Sequence, residues 1–569
     1  MHDLVIRNGT VVDGTGEPAF EGDLALDGQR IAAVGTVSGS GREEIDAQGH
    51  IVAPGWVDIH THYDGQATWD PILAPSSWNG VTTLVMGNCG VGFAPVRPGE
   101  QDFLIELMEG VEDIPGTALH EGIDFVWESF GEYLDALDGM ERVLDIAAQV
   151  PHCAVRAYVL GDRAHEVDVT DDELAAMVAA TREGLEAGAV GFSSSRTILH
   201  SSKHGLVPGT YSHPHEMLAL GRVLGEVGHG VFEMVSDGAF GQEQELEWMR
   251  LFCKETGRPL TFALAQLPGA PTAYRDTLSR AEMWSTEGAR IAPQIPCRPT
   301  GMLFGLQSTI HPFVSHPTYV KMAEAPLEER VHRLRDPAVR EQLLSEKPML
   351  ANPMALAMLM NWSQIYRLGD PPDYEPEASA SVAAAAQREG RPPEVVALDW
   401  MLENEGRGFM FAPLANYVDG DFEAIREMML HPSSVLGLSD GGAHCGLICD
   451  ASMPSYLVKH WVRDRHRGER LPIEQVVRMQ TRNTAELYGF NDRGTLEVGK
   501  KADVNVIDLG ALHLHVPEMI HDLPAGGRRL TQRVDGYRYT VCSGVVTWQD
   551  GEPTGAMPGK LVRGGRSAG

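Results

Sequence analysis

Short apolar segments alternate with amphipathic helical segments through the middle of the chain, and this alternation restricts its fold most strongly. The clearest unit begins at Thr170, where Thr170 and Glu173 form the sequence pattern of a capping box. Apolar residues then recur at helical spacing up to Leu185, Gly188 is a typical helix stop, and the segment AVGFSSS is typical of a buried strand. Continuous apolar strands that alternate with helices predict a parallel sheet covered on both faces.

Eight segments fit a buried strand of this kind. They are GWVDIH, TTLVMGNC, CAVRAYVL, GFSSS, GVFEMV, LTFALAQ, ARIAPQIP and VLGLSD. Eight such strands favour an α/β fold with a closed, TIM-like (β/α)8 barrel over an open sheet. The region at about 305–430 is too long for one connection and carries helical runs, so we expect a helical insertion before the last barrel strand. Two roles are open for this insertion: a lid over the barrel mouth and a subunit interface.

The two ends of the chain have a different sequence pattern from the middle. Both contain short strand-like segments separated by Gly and Asp turns, such as Asn8-Gly9 near the start. We expect one small β-sandwich domain built from both termini, residues 1–55 plus 490–569, beside a barrel of residues 56–489. Two separate end domains are the alternative.

Charge and cysteine content exclude several classes of protein. The 79 acidic residues outnumber the 46 Lys and Arg residues, and a net charge of −33 would repel a nucleic-acid backbone. Seven scattered cysteines are typical of a reducing compartment. The sequence lacks both a run of roughly 18 apolar residues and a signal-like start, so we expect a cytoplasmic protein without a membrane partner.

Three groups of residues at predicted strand ends carry metal-binding chemistry. His60 and His62 lie two residues apart, so both imidazoles can face one side of a strand. Cys89 ends the next strand between small residues, and a thiolate is a strong zinc ligand. Asp440 follows the last strand, where a carboxylate could bind a metal and accept a proton from water. Taken singly, each has a structural alternative: a packed histidine pair, an inert buried cysteine and a turn aspartate.

With these residues in place, the chain resembles the amidohydrolase superfamily, and within it the N-acyl-D-amino-acid deacylase (D-aminoacylase) family. The resemblance covers nearly the whole length. It is carried, in order, by VIRNGTVVDGTGEPAFEGDLAL, GWVDIHTHYD, MGNCGVGFAP, EAGAVGFSS, the SDGG turn, RNTAELYGFNDRGTLEVGKKADVNVID and SGVVTWQDGEPTGAMPGKLVRGG. The resemblance implies that His60, His62, Cys89 and Asp440 bind a metal centre and that Asp440 is the general acid and base.

The chain departs from the family at the ends of strands five and six, where the family has histidines. The corresponding segments VFEMVSDG and LTFALAQL contain none. Glu233 is the natural substitute in the first segment, as an oxygen ligand of similar reach. Gln266 occupies the second, and we expect it to be structural or a substrate contact. Because a carboxylate replaces an imidazole, Mn²⁺ or Fe²⁺ are alternatives to Zn²⁺, and one or two ions are open.

Several polar residues near the predicted site are expected to contact substrate. Arg196, His200 and Tyr211 follow strand four, in a segment that the family places near its substrate. A plain polar surface loop is the alternative for that segment. His444 lies four residues after Asp440, where a loop could bring it over the metal or the substrate.

These features together predict a metal-dependent hydrolase of a linear amide bond in a small molecule. The family resemblance implies an N-acyl-D-amino acid as its first substrate. Asp440 would accept a proton from water and deliver it to the leaving amine. Two alternatives remain: a hydrolase of a cyclic amide or an acylated natural product, and a non-catalytic barrel that binds a small ligand. The sequence leaves a homo-oligomer open.

Overall fold

Eight parallel strands from the middle of the chain are hydrogen-bonded to one another in chain order. The computed structural model describes residues 1–350 and 352–565. These strands, called first to eighth below, are Trp56–Asp58, Val81–Met86, Asp145–Ala148 continued by Val150–Pro151, Gly191–Arg196, Val231–Ser236, Leu260–Ala263, Ile291–Ile295 and Val435–Leu436. Each pairs in parallel with the next. A parallel bridge between Thr61 and Gly441 joins the chain after the first strand to the chain after the eighth. The predicted α/β class is confirmed.

Helices separate consecutive parallel strands from the second strand onward. Those up to the seventh strand are Gln101–Glu112, Gly116–Gly122, Phe130–Asp138, His152–Leu160, Asp171–Ala187, Pro214–Val227, Glu243–Thr256 and Ala273–Thr286. After the eighth strand come Met453–Tyr456, the π-helical segment Leu457–Asp464, Ile473–Gln480 and Arg482–Leu487. Short 3₁₀ turns lie at Gln66–Thr68, Ser77–Asn79, Gly161–Arg163, Asp237–Phe240, Ala378–Ala380 and Pro524–Gly526.

The helix predicted after Thr170 is confirmed with its boundaries. The Thr170 hydroxyl accepts from the N–H of Glu173, and the Glu173 carboxylate accepts from the N–H of Thr170, which satisfies two donors at the helix start. Gly188 ends the helix with a φ of 119°, a left-handed conformation that favours glycine. The fourth parallel strand follows directly, so local sequence alone sets this unit.

One predicted strand is wrong. CAVRAYVL forms the helix His152–Leu160, and the third strand is the preceding segment, Asp145–Ala148 with Val150–Pro151. A buried apolar run of eight residues fits a helix as well as a strand, because burial removes the periodicity that distinguishes them. Pro151 is the N-cap of the helix, so the chain changes from strand to helix at that residue.

The long segment before the eighth strand has its own apolar core, which includes Phe304, Leu334 and Met410. Its helices are Pro317–Val320, Leu327–Arg335, Pro337–Ser345, Pro353–Leu359, Val382–Glu389, Pro393–Met401, Glu403–Gly406 and Glu423–Leu430. It also contains a three-stranded antiparallel sheet of Gly301–Phe304, Met410–Pro413 and Tyr366–Arg367. The insertion is therefore mainly helical, and an antiparallel sheet that the sequence did not predict brings its two ends together.

Strands from both ends of the chain form one nine-stranded sheet, which branches where the first strand of the chain pairs with three others. Its members are His2–Val11, Phe20–Asp27, Arg30–Gly35, Gly41–Asp46, Ile51–Pro54, Val504–Ile507, Tyr537–Cys542, Val545–Gln549 and Glu552–Pro553. Antiparallel pairing of Ile51–Pro54 with Val504–Ile507 joins the N-terminal strands to the C-terminal ones. Residues 566–569 of the predicted end domain lie outside the described part.

Two-stranded sheets complete the secondary structure. They pair Ser201–Ser202 with Gly205–Leu206, His513–Leu514 with Val534–Asp535, and Glu518–Leu523 with Gly527–Thr531. All seven cysteines are buried and free. Within residues 1–350 and 352–565, no helix has both the length and the apolar character needed to cross a bilayer.

Candidate metal centre

The two histidines of the His-Thr-His motif lie directly after the first parallel strand and are almost completely buried. Their ring centroids are 5.5 Å apart. The backbone N–H of His62 donates to the carbonyl of Gly441 at 2.7 Å, and the N–H of Asp440 donates to the carbonyl of His60 at 3.1 Å. The chain after the eighth strand is therefore fixed against the motif by backbone hydrogen bonds.

Cys89 reaches the same point through a strained turn after the second strand. Gly87, Cys89 and Gly90 all have left-handed backbones, with φ values of 78°, 56° and 71°. Only glycine fits at Gly90, because an added Cβ would lie 2.8 Å from Cα of Ser194. The turn brings the Cys89 Sγ to 3.4 Å from Nε2 of His60. A non-glycine residue held in this region is a feature found at functional sites.

Asp440 lies against both histidines. Its Oδ1 is 3.5 Å from Nε2 of His60 and 3.8 Å from Nε2 of His62. The side chain is 13% exposed, so it can reach a small molecule in the site. Burial acts to raise the pKa of this carboxyl, but the neighbouring imidazoles of His62, His60 and His444 outweigh it and hold the pKa below its usual range. Asp440 is therefore ionised at neutral pH.

Glu233 and Gln294 lie behind His60, on the side of Nδ1. Gln294 Oε1, on the seventh strand, is 2.9 Å from Nδ1 of His60. Glu233 Oε1, on the fifth strand, is 3.7 Å from the same nitrogen, while Glu233 Oε2 accepts from the backbone N–H of Cys89 at 2.8 Å. Burial raises the pKa of Glu233 to about 8. Glu233 therefore supports both the thiol turn and one histidine.

Glu112 and His444 lie on the opposite side of the site, beside His62. Glu112 is the last residue of the helix Gln101–Glu112 and is 1% exposed. Its Oε1 is 3.4 Å from Nδ1 of His62, and its Oε2 is 3.6 Å from Nε2 of His444. His444 Nε2 is also 4.0 Å from Oδ2 of Asp440.

The two histidines of the motif differ in their preferred charge. Burial lowers the pKa of His60 to about 4, although Asp440 opposes this shift. For His62, burial also favours the neutral form, but the charges of Glu112 and Asp440 outweigh it and raise the pKa to about 9. Burial and the charge of Glu233 raise the pKa of the Cys89 thiol well above its usual value. Glu112 and Asp440 thus favour positive charge at His62, and a bound cation would supply that charge instead.

The described side chains fit a divalent metal ion. Within the described part of the chain, His60, His62 and Cys89 form a group whose ligand atoms all lie within 4.8 Å of one another. Oε1 of Glu233, a buried atom beside this group, lacks a hydrogen-bond partner. Imidazole, thiolate and carboxylate are common ligands of divalent transition metals.

The residues predicted to contact substrate differ in their distance from the metal-binding group. His200 lies close enough to His444, His62 and Asp440 for their charges to affect it, and burial lowers its pKa to about 3. Its Nδ1 is 2.9 Å from Oγ of Ser195. His444 borders the cluster and is 21% exposed. His444 therefore borders the site, and His200 lies near it.

Arg196 is held by neighbouring residues, and Tyr211 is exposed. The Arg196 guanidinium bonds to both oxygens of Glu245, at 2.6 and 2.9 Å, and to the carbonyl of Ser212 at 2.7 Å. These bonds engage all three of its nitrogens, so its contacts do not add support to the expected role of Arg196 in binding substrate. Tyr211 is 61% exposed at the surface.

Gln266 is structural. Its backbone N–H donates to Asn416 Oδ1 at 2.6 Å, its Nε2 donates to Asp419 Oδ2 at 2.7 Å, and its Oε1 accepts from the N–H of Val418 at 3.2 Å. Every polar atom of its side chain thus holds the loop that follows the antiparallel strand Met410–Pro413. Of the two expectations for Gln266, these contacts favour the structural one.

Sequence reasoning missed Glu112 and Gln294. Gln294 lies near the carboxyl end of a strand that was predicted, so its position alone could have indicated it. Glu112 ends a helix in a long connection, and its spacing from the motifs carries no pattern.

Comparison with known proteins defines the family. The amidohydrolase family model matches residues 43–548. The N-acyl-D-aspartate deacylase of Alcaligenes xylosoxydans xylosoxydans is 27% identical over 99% of this chain and 95% of that protein. The D-aminoacylase of the same organism is 35% identical over 34% of this chain and 37% of its own length.

Solved structures agree in fold. A D-aminoacylase crystal structure has a TM-score of 0.65 at 22% identity, covering 99% of this chain and 100% of that one. N-acyl-D-glutamate deacylase from Bordetella bronchiseptica, solved with zinc and a phosphonate inhibitor, has a TM-score of 0.65 at 24% identity and covers 99% of both chains. The chain belongs to the amidohydrolase family. It is a hydrolase of carbon–nitrogen bonds other than peptide bonds, similar to N-acyl-D-amino-acid deacylases.

Proposed function

We propose that this chain hydrolyses the linear amide bond of an N-acyl-D-amino acid, using a divalent metal and Asp440 as general base and acid. The observation that carries the proposal is the position of Asp440, whose Oδ1 lies 3.5 Å from His60 and 3.8 Å from His62. One carboxylate thus reaches both imidazoles of the only three-residue metal-binding group found among the described residues.

His60, His62 and Cys89 would hold the ion, with Asp440 beside them and the free oxygen of Glu233 as a further ligand. Zinc is the first choice because two imidazoles and a thiolate are among its preferred ligands. A divalent ion supplies a Lewis acid for the amide carbonyl and the attacking water. A nearby cation also favours the thiolate of Cys89, which burial disfavours in its absence.

Asp440 performs the proton transfers. Its carboxylate is ionised at neutral pH, so it can accept a proton from water as the water oxygen bonds to the amide carbon. The same proton then passes from Asp440 to the amide nitrogen as the carbon–nitrogen bond breaks. The products are a carboxylic acid and a free amine. His444 and His200 lie near Asp440 and would contact the substrate.

The proposal extends to the architecture. The eight parallel strands, joined at their ends by the bridge from Thr61 to Gly441, support a closed, TIM-like (β/α)8 barrel in residues 56–489. The nine-stranded sheet supports a composite β domain from residues 1–55 and 490–569, for which we propose a β-sandwich. The D configuration is supported by relatives that cover the whole chain, the N-acyl-D-aspartate and N-acyl-D-glutamate deacylases.

The test is release of free amino acid from paired N-acetyl-D- and N-acetyl-L-amino acids, before and after the metal is removed with a chelator. We expect hydrolysis of D substrates by the metal-loaded protein, loss after chelation, and recovery when Zn²⁺ is returned. Hydrolysis of L substrates alone would overturn the stereochemical assignment. A metal-loaded protein that hydrolyses none of the linear amides would overturn the proposed function.

A further inference from the structure

Glu112 is a buried carboxylate that the proposed reaction does not use. It ends the helix Gln101–Glu112, and the next residue, Asp113, has a φ of 51° that turns the chain away. The side chain is 1% exposed, and the backbone carbonyl of Glu112 accepts from the N–H of His444. A carboxylate buried this deeply requires partners, because removing a charge from water is costly.

The partners of Glu112 are two imidazoles. Oε1 lies 3.4 Å from Nδ1 of His62, and neither of these atoms has a hydrogen-bond partner. A hydrogen bond of about 2.7–3.2 Å needs only a small approach of the two groups. Oε2 lies 3.6 Å from Nε2 of His444. Glu112 therefore bridges a histidine of the first-strand motif and a histidine of the loop that carries Asp440.

We infer that Glu112 is a positioning residue that holds the Nδ1 proton of His62 and thereby presents Nε2 of His62 to the metal ion. The inference rests on the proposed function, because it requires His62 to be a ligand. Glu112 faces the Nδ1 side of the ring, whereas Asp440 lies nearest Nε2. The nitrogen that is protonated is set by the hydrogen bond at that atom, so the carboxylate fixes the tautomer that leaves Nε2 free.

The neighbouring histidine has a weaker partner of the same kind. Nδ1 of His60 lies 2.9 Å from the neutral amide oxygen of Gln294. A carboxylate partner makes the far nitrogen more basic than an amide does, because its negative charge stabilises positive charge on the ring. His62 thus has an anionic partner and His60 a neutral one, and Glu112 adds to metal affinity without contacting the ion.

The experiment compares Glu112→Leu, Glu112→Gln and the control Glu109→Gln with the wild type. Glu109 lies one turn earlier on the same helix and bonds to the N–H of Gly116, away from the histidines. The measurements are the Zn²⁺ dissociation constant, by competition with a chromogenic chelator, the visible absorption spectrum of the Co²⁺ form, and the melting temperature.

We expect Glu112→Leu to weaken Zn²⁺ binding about 10–100-fold and to shift the Co²⁺ spectrum. Glu112→Gln keeps an acceptor oxygen and loses the charge, so it should recover part of the affinity. Glu109→Gln should bind as the wild type does. Equal affinity in Glu112→Leu and wild type would overturn the inference. If Glu112→Leu does not fold, equal affinity in Glu112→Gln and wild type would overturn it. A wild type that binds no metal would contradict the proposed function, and this inference with it.

Discussion

The carboxylate of Glu233 accepts a hydrogen bond of 2.8 Å from the backbone N–H of Cys89. The fifth parallel strand thus fixes the left-handed turn that presents the thiol after the second strand. The same carboxylate lies 3.7 Å from His60, so one buried acid connects two of the three residues of the metal-binding group.

The burial of the Glu233 carboxyl predicts that the stability of the metal-free protein depends on pH. The pKa of Glu233 is about 8 in the folded state against 4.5 in the unfolded chain, so between these values the folded state binds more protons. The contribution of Glu233 to the free energy of unfolding therefore falls as pH rises from about 4.5 through 8. Glu233→Gln does not ionise and should gain melting temperature relative to wild type across this range. The control Glu247→Gln, at an exposed site, should show no such trend. A melting difference that stays constant with pH would contradict the assignment.

Asp440→Asn should lower kcat by about 10²–10⁴-fold, because the amide cannot accept and return the proton. His60, His62 and Cys89 remain, so the variant should still bind metal. Asp276→Asn, at an exposed position on a helix away from the site, is the matched control and should keep full activity. Steady-state kinetics and metal analysis of both variants measure the effect. Wild-type kcat in Asp440→Asn would exclude Asp440 as the base.

Gly437→Ala should disturb the support of His60. An added Cβ at this position would lie 2.4 Å from Oε1 of Gln294, the atom that contacts Nδ1 of His60. We expect about 10-fold weaker metal binding and about 1–3 kcal/mol less stability. Gly269→Ala is the control, since nothing lies within 4 Å of its added Cβ. Unchanged metal affinity in Gly437→Ala would show that the Gln294 contact is not needed.

Glu216→Gln should destabilise the protein by about 3–5 kcal/mol, because it leaves the buried guanidinium of Arg156 without its anion. Burial opposes ionisation of Glu216, but His152 and Arg156 outweigh it and lower its pKa to about 2. The stability from this pair should therefore be present above about pH 4.5 and be lost as the pH falls toward 2. Denaturant unfolding of Glu216→Gln and of the wild type, at several pH values, measures this loss of stability. Glu226→Gln breaks an exposed pair and should cost at most about 1 kcal/mol. Equal costs in the two variants would contradict this account.

The sequence predicted elements whose signals are local. The helix after Thr170 was predictable because its capping box and its terminal glycine lie at the two ends of the helix itself. The segment CAVRAYVL was misassigned because its buried face gives no period, and the deciding contacts of Arg156, with Glu216 and Ser212, come from residues over 50 positions away.

The residues of the site also divide into those that a local pattern predicts and those that only tertiary contacts place. His60, His62, Cys89 and Asp440 lie at strand ends, where parallel strands bring residues distant in sequence together. The pairing of Arg196 with Glu245 and the burial of Glu112 beside His62 depend on how connecting segments pack. Those contacts follow from tertiary structure and have no sequence pattern.

The most direct test of a metal-dependent hydrolase is elemental analysis of the purified wild type and of His60→Ala. The account predicts about one or two equivalents of a divalent transition metal in the wild type, and their loss in His60→Ala together with hydrolysis of N-acyl amino acids. A wild type without bound metal, which also stays inactive when Zn²⁺ or Mn²⁺ is added, would contradict it.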